Sequence, residues 1–233
     1  MKNHTSLLLF LFLITFNSNK LQSQSEVRDV GPYQGIRIEG PYKVTLTTGT
    51  EGRLTFEGNR SDLDKIEFYV KKGILTIKKE NTSWFSDWKS DLVSIRIPVE
   101  QINQIILTGS GEIQAETILK TPRLKIIISG SGNINLEVNT TSLNGIVTGS
   151  GDLKLSGLSA QIGFTVTGSG SIEASALKSQ FGKAKITGSG DINMQITEEL
   201  YGQVTGSGDI TCFGNPKHQK IKITGSGDIR IKN

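Results

Sequence analysis

Three aspartates, Asp191, Asp209 and Asp228, recur at near-equal spacing in the C-terminal part of the chain. Stacked about 5 Å apart, like charges repel. A hard cation such as Ca²⁺, which takes carboxylate oxygens, would relieve that repulsion and make the row a cation ladder. The competing reading has each Asp accept backbone N–H groups in its own bend. Trp84, Phe85 and Trp88 fall together in the polar segment 81–89. Exposed aromatics of this kind mark a carbohydrate or protein contact, and buried ones a plug over the core. These three are the candidate ligand contacts. Otherwise chemistry-bearing residues are sparse. The chain has 2 His and 1 Cys, Cys212, too few for a disulfide framework or a Cys/His zinc cluster. His218 stands alone in a turn, and Glu198-Glu199 is an adjacent pair rather than a spaced acid and base. No Gly-x-Ser-x-Gly elbow and no phosphate loop occurs. No catalytic residues and no cofactor are therefore expected.

The elements that position the aspartates are repeats. Gly-Ser-Gly occurs with its first glycine at 109, 130, 149, 168, 188, 206 and 225, a spacing of 18 to 21 residues. Two positions before that glycine stand Leu107, Ile128, Val147, Val166, Ile186, Val204 and Ile223. Four positions after it stand Ile113, Ile134, Leu153, Ile172, Ile192, Ile210 and Ile229. Six after it the residue is again apolar, with mostly polar residues between. This is the period of a strand with one buried face, not of a helix. The unit reads strand, Gly-Ser-Gly bend, strand, then a second, variable turn. A right-handed parallel β-helix of about seven coils accounts for it, each coil burying its apolar face against its neighbours. Glycine suits the bend because it accepts positive φ and has no Cβ to strike the bend above or below. The serines at 110, 131, 150, 169, 189, 207 and 226 are expected to form a hydroxyl ladder. The outward positions are mostly Lys, Asn, Ser and Thr, and no clustering is evident.

Residues 24–100 lack the motif but keep the alternation. Ile36–Ile38, Val44–Leu46, Leu54–Phe56, Ile66–Val70, Ile74–Ile77 and Val93–Ile97 read as strands, with one short helical turn at 61–64. This β-rich part is expected to pair with the first coil and cover an exposed sheet edge. It leads without a linker into the repeats at 101–233, so 24–233 reads as one continuous domain. Residues 1–23 have a short basic start and an apolar run, Leu7 to Phe16, too short to span a bilayer. They read as a signal peptide cleaved between Asn19 and Ser25. Export to the periplasm, the outer-membrane surface or the exterior follows, with no integral membrane segment left after cleavage.

The net charge of +4 includes Lys2 and Lys20 of the leader. Without residues 1–23, 24 basic residues face 22 acidic ones. With no basic run, nucleic acid is excluded as a partner.

Several motifs resemble one bacterial family. They are Ile36-Arg-Ile38, Gly73-Ile-Leu-Thr-Ile77, the Ile97-Pro98 entry, the repeated Thr-Gly-Ser-Gly, Gly132-Asn-Ile134-Asn135 and Phe213-Gly-Asn-Pro216. The family is the one described as "putative auto-transporter adhesin, head GIN domain", common in secreted proteins of Gram-negative bacteria. The resemblance implies a β-helical solenoid with a β-rich N-terminal part and no established enzymatic activity. It supplies no functional residues. The expected function is an exported, non-enzymatic binding, adhesin-like or scaffold protein whose partner is a glycan or an envelope protein. A carbohydrate-active β-helix enzyme and an envelope assembly or sensing protein, acting as a homo-oligomer, are the alternatives.

Overall fold

The computed structural model describes residues 24–80 and 93–232. The leader at 1–23 and the aromatic segment with Trp84, Phe85 and Trp88 lie outside the described residues.

The chain opens with β1 (Gln24–Asp29), β2 (Gly35–Glu39), β3 (Lys43–Thr48), β4 (Arg53–Gly58), the single helical turn α1 (Arg60–Leu63), β5 (Ile66–Lys71), β6 (Ile74–Lys79) and β7 (Ser94–Val99). The repeats follow as β8 (Gln104–Gly109), β9 (Glu112–Ala115), β10 (Leu119–Gly130), β11 (Asn133–Gly149), β12 (Asp152–Gly168), β13 (Ser171–Gly188), β14 (Asp191–Gly206), β15 (Ile210–Phe213), β16 (His218–Gly225) and β17 (Ile229–Lys232). From β8 onward every ladder is parallel, and the molecule is an all-β parallel solenoid.

The register gives the core its form. Leu153 lies beside Ile172, and Ile172 beside Ile192. The same column runs back through Ile134, Ile113, Val44 and Ile95, and forward through Ile210 to Ile229. A second column joins Ile77, Ile38, Leu107, Ile128, Val147, Val166, Ile186, Val204 and Ile223. Apart from the last member of each, these side chains are at most 1% exposed. Burying one such side chain contributes about 1.5–3 kcal/mol. One-residue slips are excluded, because they would turn each apolar row to solvent.

The repeat reaches further toward the N-terminus than the motif does. β2 pairs in parallel with β8, and β3 with β9. Gly40-Pro41-Tyr42 thus takes the place of a Gly-Ser-Gly bend, with the Gly40 N–H donating to the Thr108 carbonyl and Glu112 N–H to the Tyr42 carbonyl. β6 and β7 add one more parallel layer. Then the direction reverses: β5 runs antiparallel to β6, β4 to β7 and β1 to β4. These antiparallel strands close this end of the sheet.

Arg28 holds β1 in place. Its guanidinium lies 4.7 Å from the centre of the Phe56 ring and 5.2 Å from that of Phe68. It donates to the carbonyls of Leu63 at 2.9 Å and Ile66 at 3.4 Å, and it pairs with Glu26 at 3.2 Å. A mostly buried cation is tolerated here because carbonyls, ring faces and a carboxylate replace its water.

Two expectations are corrected. The bend serines make no hydroxyl ladder; they are exposed, and the bends are joined by backbone bonds. The N–H of Ser131, Ser150, Ser169, Ser189, Ser207 and Ser226 each donates to the carbonyl of the first bend glycine one coil earlier, at 2.8–3.0 Å. Side-chain hydroxyls are bonded instead at the second corner, to one another once and otherwise to backbone carbonyls. There Thr140 Oγ1 donates to Ser159 Oγ at 2.9 Å, Ser159 Oγ to the Gln161 carbonyl at 2.9 Å and Ser179 Oγ to the Ala160 carbonyl at 3.1 Å. Thr140, Ser159 and Ser179 are buried, so their hydroxyls need protein partners, whereas the exposed bend serines have water. The second correction concerns the variable turn, which is extended ladder for most of its length. β11 and β12 pair from Asn133 with Asp152 to Gly149 with Gly168, and the inward parity flips near Thr141.

Candidate functional site

The outward side chains of each coil stand in columns, and two places on this surface gather functional groups. The first is the bend corner. Asp191 Oδ1 accepts the N–H of Asp209 at 3.0 Å, and Asp209 Oδ1 that of Asp228 at 2.9 Å. One coil group earlier, Asn133 Oδ1 accepts the Asp152 N–H at 3.3 Å, and Asp152 accepts the Ser171 hydroxyl at 2.6 Å. Each side chain thus bonds the equivalent residue of the following coil. Arg230 Nη1 lies 3.1 Å from Asp209 Oδ2, and its Nε lies 3.0 Å from Asp228 Oδ2. An arginine therefore offsets the repulsion between two of the three carboxylates, the role that the cation-ladder reading gives to Ca²⁺. Among the described residues no group of three or more His, Cys, Asp or Glu could hold a metal ion.

The second place is on β12, β13, β14 and β16, just before the bend. Five positions before the first bend glycine stand Gly163, Lys183, Tyr201 and Lys220, adjacent in register. Three positions before it stand Thr165, Lys185, Gln203 and Lys222. All four lysines are exposed. Lys183 Nζ lies 5.2 Å and Lys220 Nζ 6.0 Å from the Tyr201 ring centre, and Tyr201 Oη donates to Gln203 Oε1 at 3.3 Å. Beside this column an open groove of about 440 Å³ is lined by Gln161, Phe181, Lys183, Glu199 and Tyr201. Phe181 is 43% exposed, unusual for so large an apolar ring. Gly182 forms the floor, where a Cβ would meet the side chain of Ile196.

A further cleft of about 530 Å³ sits where the N-terminal strands meet the first coil, between Thr48, Val99, Glu100, Ile102, Thr117 and Ile118. Nearby, Glu51 Oε1 accepts the N–H groups of Glu100 at 2.8 Å and Gln101 at 3.1 Å. Burial works to raise the Glu51 pKa, but these N–H groups, with its own, hold it below the ordinary value. Glu173 behaves alike: burial opposes, and bonds from Ser175 and Asn193, with Lys154 nearby, bring the carboxyl down. A carboxyl lowered in the fold binds fewer protons than in the unfolded chain, so it stabilises the fold above the unfolded pKa. That contribution is lost as pH falls through the folded pKa. Thermal melts should therefore be level from neutral pH to about pH 5 and fall below about pH 4.3. The Glu51→Gln/Glu173→Gln variant should show a shallower acid limb; an unchanged limb would remove these two groups as its cause.

Sequence reading missed the lysine, tyrosine and phenylalanine group. The signal was present: aligning the units on the bend glycine puts Lys, Tyr, Lys at one offset and Lys, Gln, Lys at another. The expectation of no clustering failed because residues 18 to 20 apart become neighbours only when the coils are stacked in register. The candidate contacts Trp84, Phe85 and Trp88 lie outside the described residues, between Glu80 and Val93.

A rigid parallel solenoid with antiparallel strands closing one end and a patterned outer surface defines the class. The chain belongs to the family described as "Putative auto-transporter adhesin, head GIN domain", whose model matches residues 32–216. A structure described as a "putative adhesin" from Bacteroides fragilis is 25% identical, with 91% of this chain and 97% of that one covered and a TM-score of 0.83. A "putative lipid binding protein" from Parabacteroides distasonis is 21% identical, with 91% and 97% covered and a TM-score of 0.74. A "putative adhesin" from Parabacteroides merdae is 18% identical, with the same coverage and a TM-score of 0.71. The last two share the fold. No curated protein matches the chain.

Proposed function

We propose that this chain is an exported, non-enzymatic adhesin-like binding protein of the cell surface or exterior, presenting a rigid patterned face to a glycan. The observation that carries this reading is the outer face of β13, β14 and β16. Charged, aromatic and amide side chains are held there at one-coil intervals by backbone ladders that run without a register shift from Phe181 to Gly188, Glu199 to Gly206 and His218 to Gly225. Such a face binds without reorganising, which keeps the entropic cost of association low. Membership in an adhesin-head family supports the same reading. So does the character of the acids: Glu198 is paired with Lys217 at 2.7 Å, and Asp209 and Asp228 with Arg230. Each of these carboxylates is thus engaged by a neighbouring cation. Among the described residues no helix is long and apolar enough to cross a membrane. Export rests on residues 1–23, and the secreted form is expected to begin between Asn19 and Ser25.

The test uses a polysaccharide array together with a reducing-end assay on every polysaccharide retained. Retention without new reducing ends is the expected result. Release of reducing ends would make the protein an enzyme, and absence of retention on all polysaccharides would end the glycan reading.

A further inference from the structure

We propose that the Lys183, Tyr201, Lys220 column and its neighbour Lys185, Gln203, Lys222 bind a linear acidic polysaccharide, one carrying a carboxylate on every second sugar and lying along the solenoid axis. The inference rests on the glycan reading above and specifies its site and ligand class. The argument is one of spacing. Lys183 pairs in register with Tyr201, and Tyr201 with Lys220; Lys185 pairs with Gln203, and Gln203 with Lys222. In each column the two lysines are thus anchored two coils apart, their backbones about 10 Å from one another at the usual distance between paired strands. Between them stands an uncharged group able to form hydrogen bonds, Tyr201 in one column and Gln203 in the other.

Read from the ligand's side, this is a charge, a neutral unit and a charge again. A polysaccharide alternating a uronate with a neutral sugar has that order, with each sugar advancing the chain by about one coil. A nucleic acid does not fit, since each strand carries a charge about every 3.4 Å. A polyphosphate has denser charge still. The groove beside the columns adds contacts a sugar can use. Phe181 offers an exposed ring for the C–H face of a pyranose, and Gln161 offers an amide. Glu199 is the one acid lining the groove; it sits in the neighbouring column beside Phe181 and His218, where it can accept sugar hydroxyls. Both lysines of the first column already lie over Tyr201, which restrains them before any ligand arrives.

The experiment measures binding of hyaluronan oligosaccharides, which carry one carboxylate per disaccharide, by calorimetry at low and at physiological salt. Carboxyl-reduced hyaluronan and polyphosphate are measured in parallel. The variants are Lys183→Gln/Lys220→Gln, Lys185→Gln/Lys222→Gln and, as a control of equal charge on the other face, Lys154→Gln/Lys232→Gln. Each test pair should weaken hyaluronan binding about tenfold, two exposed ion pairs being worth roughly one decade, with the control unchanged. Carboxyl reduction should weaken binding of the unaltered protein at least as much. Equal loss in all three variants, or polyphosphate binding as tightly as hyaluronan, would reduce the effect to unspecific charge and overturn the site. If the protein binds neutral glycans but not hyaluronan, the site fails and the broader glycan reading stands. If it binds no polysaccharide at all, both fail.

Discussion

Gly130→Ala should be among the most damaging single-methyl substitutions in this protein, while the same change at Gly163 should pass almost unnoticed. Gly130 has φ of +118°, and an added Cβ would lie 2.6 Å from the carbonyl oxygen of Gly109 in the preceding coil. That oxygen accepts the Ser131 N–H, so it cannot withdraw without breaking the ladder. Backbone strain and a clash against backbone combine, and a loss of at least about 4 kcal/mol is expected. Gly132 separates the two causes. Its φ is not in the left-handed range, yet a Cβ there would lie 2.7 Å from the Gly111 oxygen and from Leu107 Cδ2. Gly132→Ala should therefore also destabilise strongly, through the clash alone. At Gly163 nothing lies within 4 Å of an added Cβ, and the change should stay within about 0.5 kcal/mol. Urea unfolding of the three variants decides it. Similar stabilities for Gly130→Ala and Gly163→Ala would mean that the coils are not stacked bend on bend.

Phe164→Ala is expected to cost about 3–5 kcal/mol, the range for emptying a buried phenylalanine site. Phe164 is 1% exposed, and its column reads Ile126, Gly145, Phe164, Ala184, Gly202, with a small residue on each side of the ring. The ring fills the space its small neighbours leave. A Cβ on Gly145 would lie 3.0 Å from Phe164 Cδ1 and 2.8 Å from Leu153 Cδ2. Gly145→Ala should thus destabilise on its own and do so less in the Phe164→Ala background, where one of the two clashes is gone. A double-mutant cycle in thermal or urea unfolding measures that coupling. Strict additivity would show that the two residues do not share a cavity.

Much of the fold was legible from residues alone. Apolar residues at fixed offsets from seven identical bends define both the inward face and the coil boundaries, because strand burial has a period of two and the bend repeats its position. The expected strands near residues 36–38, 44–46, 54–56, 66–70, 74–77 and 93–97 are all present. The direction of pairing in that N-terminal part was not legible. Ile36–Ile38 and Leu54–Phe56 have the same alternation, yet β2 continues the parallel stack and β4 reverses it. Alternation reports which side chains face inward and carries no information about the neighbour's direction. Gly40-Pro41-Tyr42 was likewise hidden, since it shares one glycine with the motif and matches it only through hydrogen bonds to the coil below.

The site divides along the same line. Residue types and spacing alone determined that the chain would stack in coils and that Asp191, Asp209 and Asp228 would share one corner. Tertiary structure decided what those aspartates touch, with Arg230 reaching back to two of them. It also brought Lys183, Tyr201 and Lys220 into one column. The physical reason is that a period along the chain specifies which residues become neighbours only after the pairing register is known, and register is settled by burial of the inward faces as a whole.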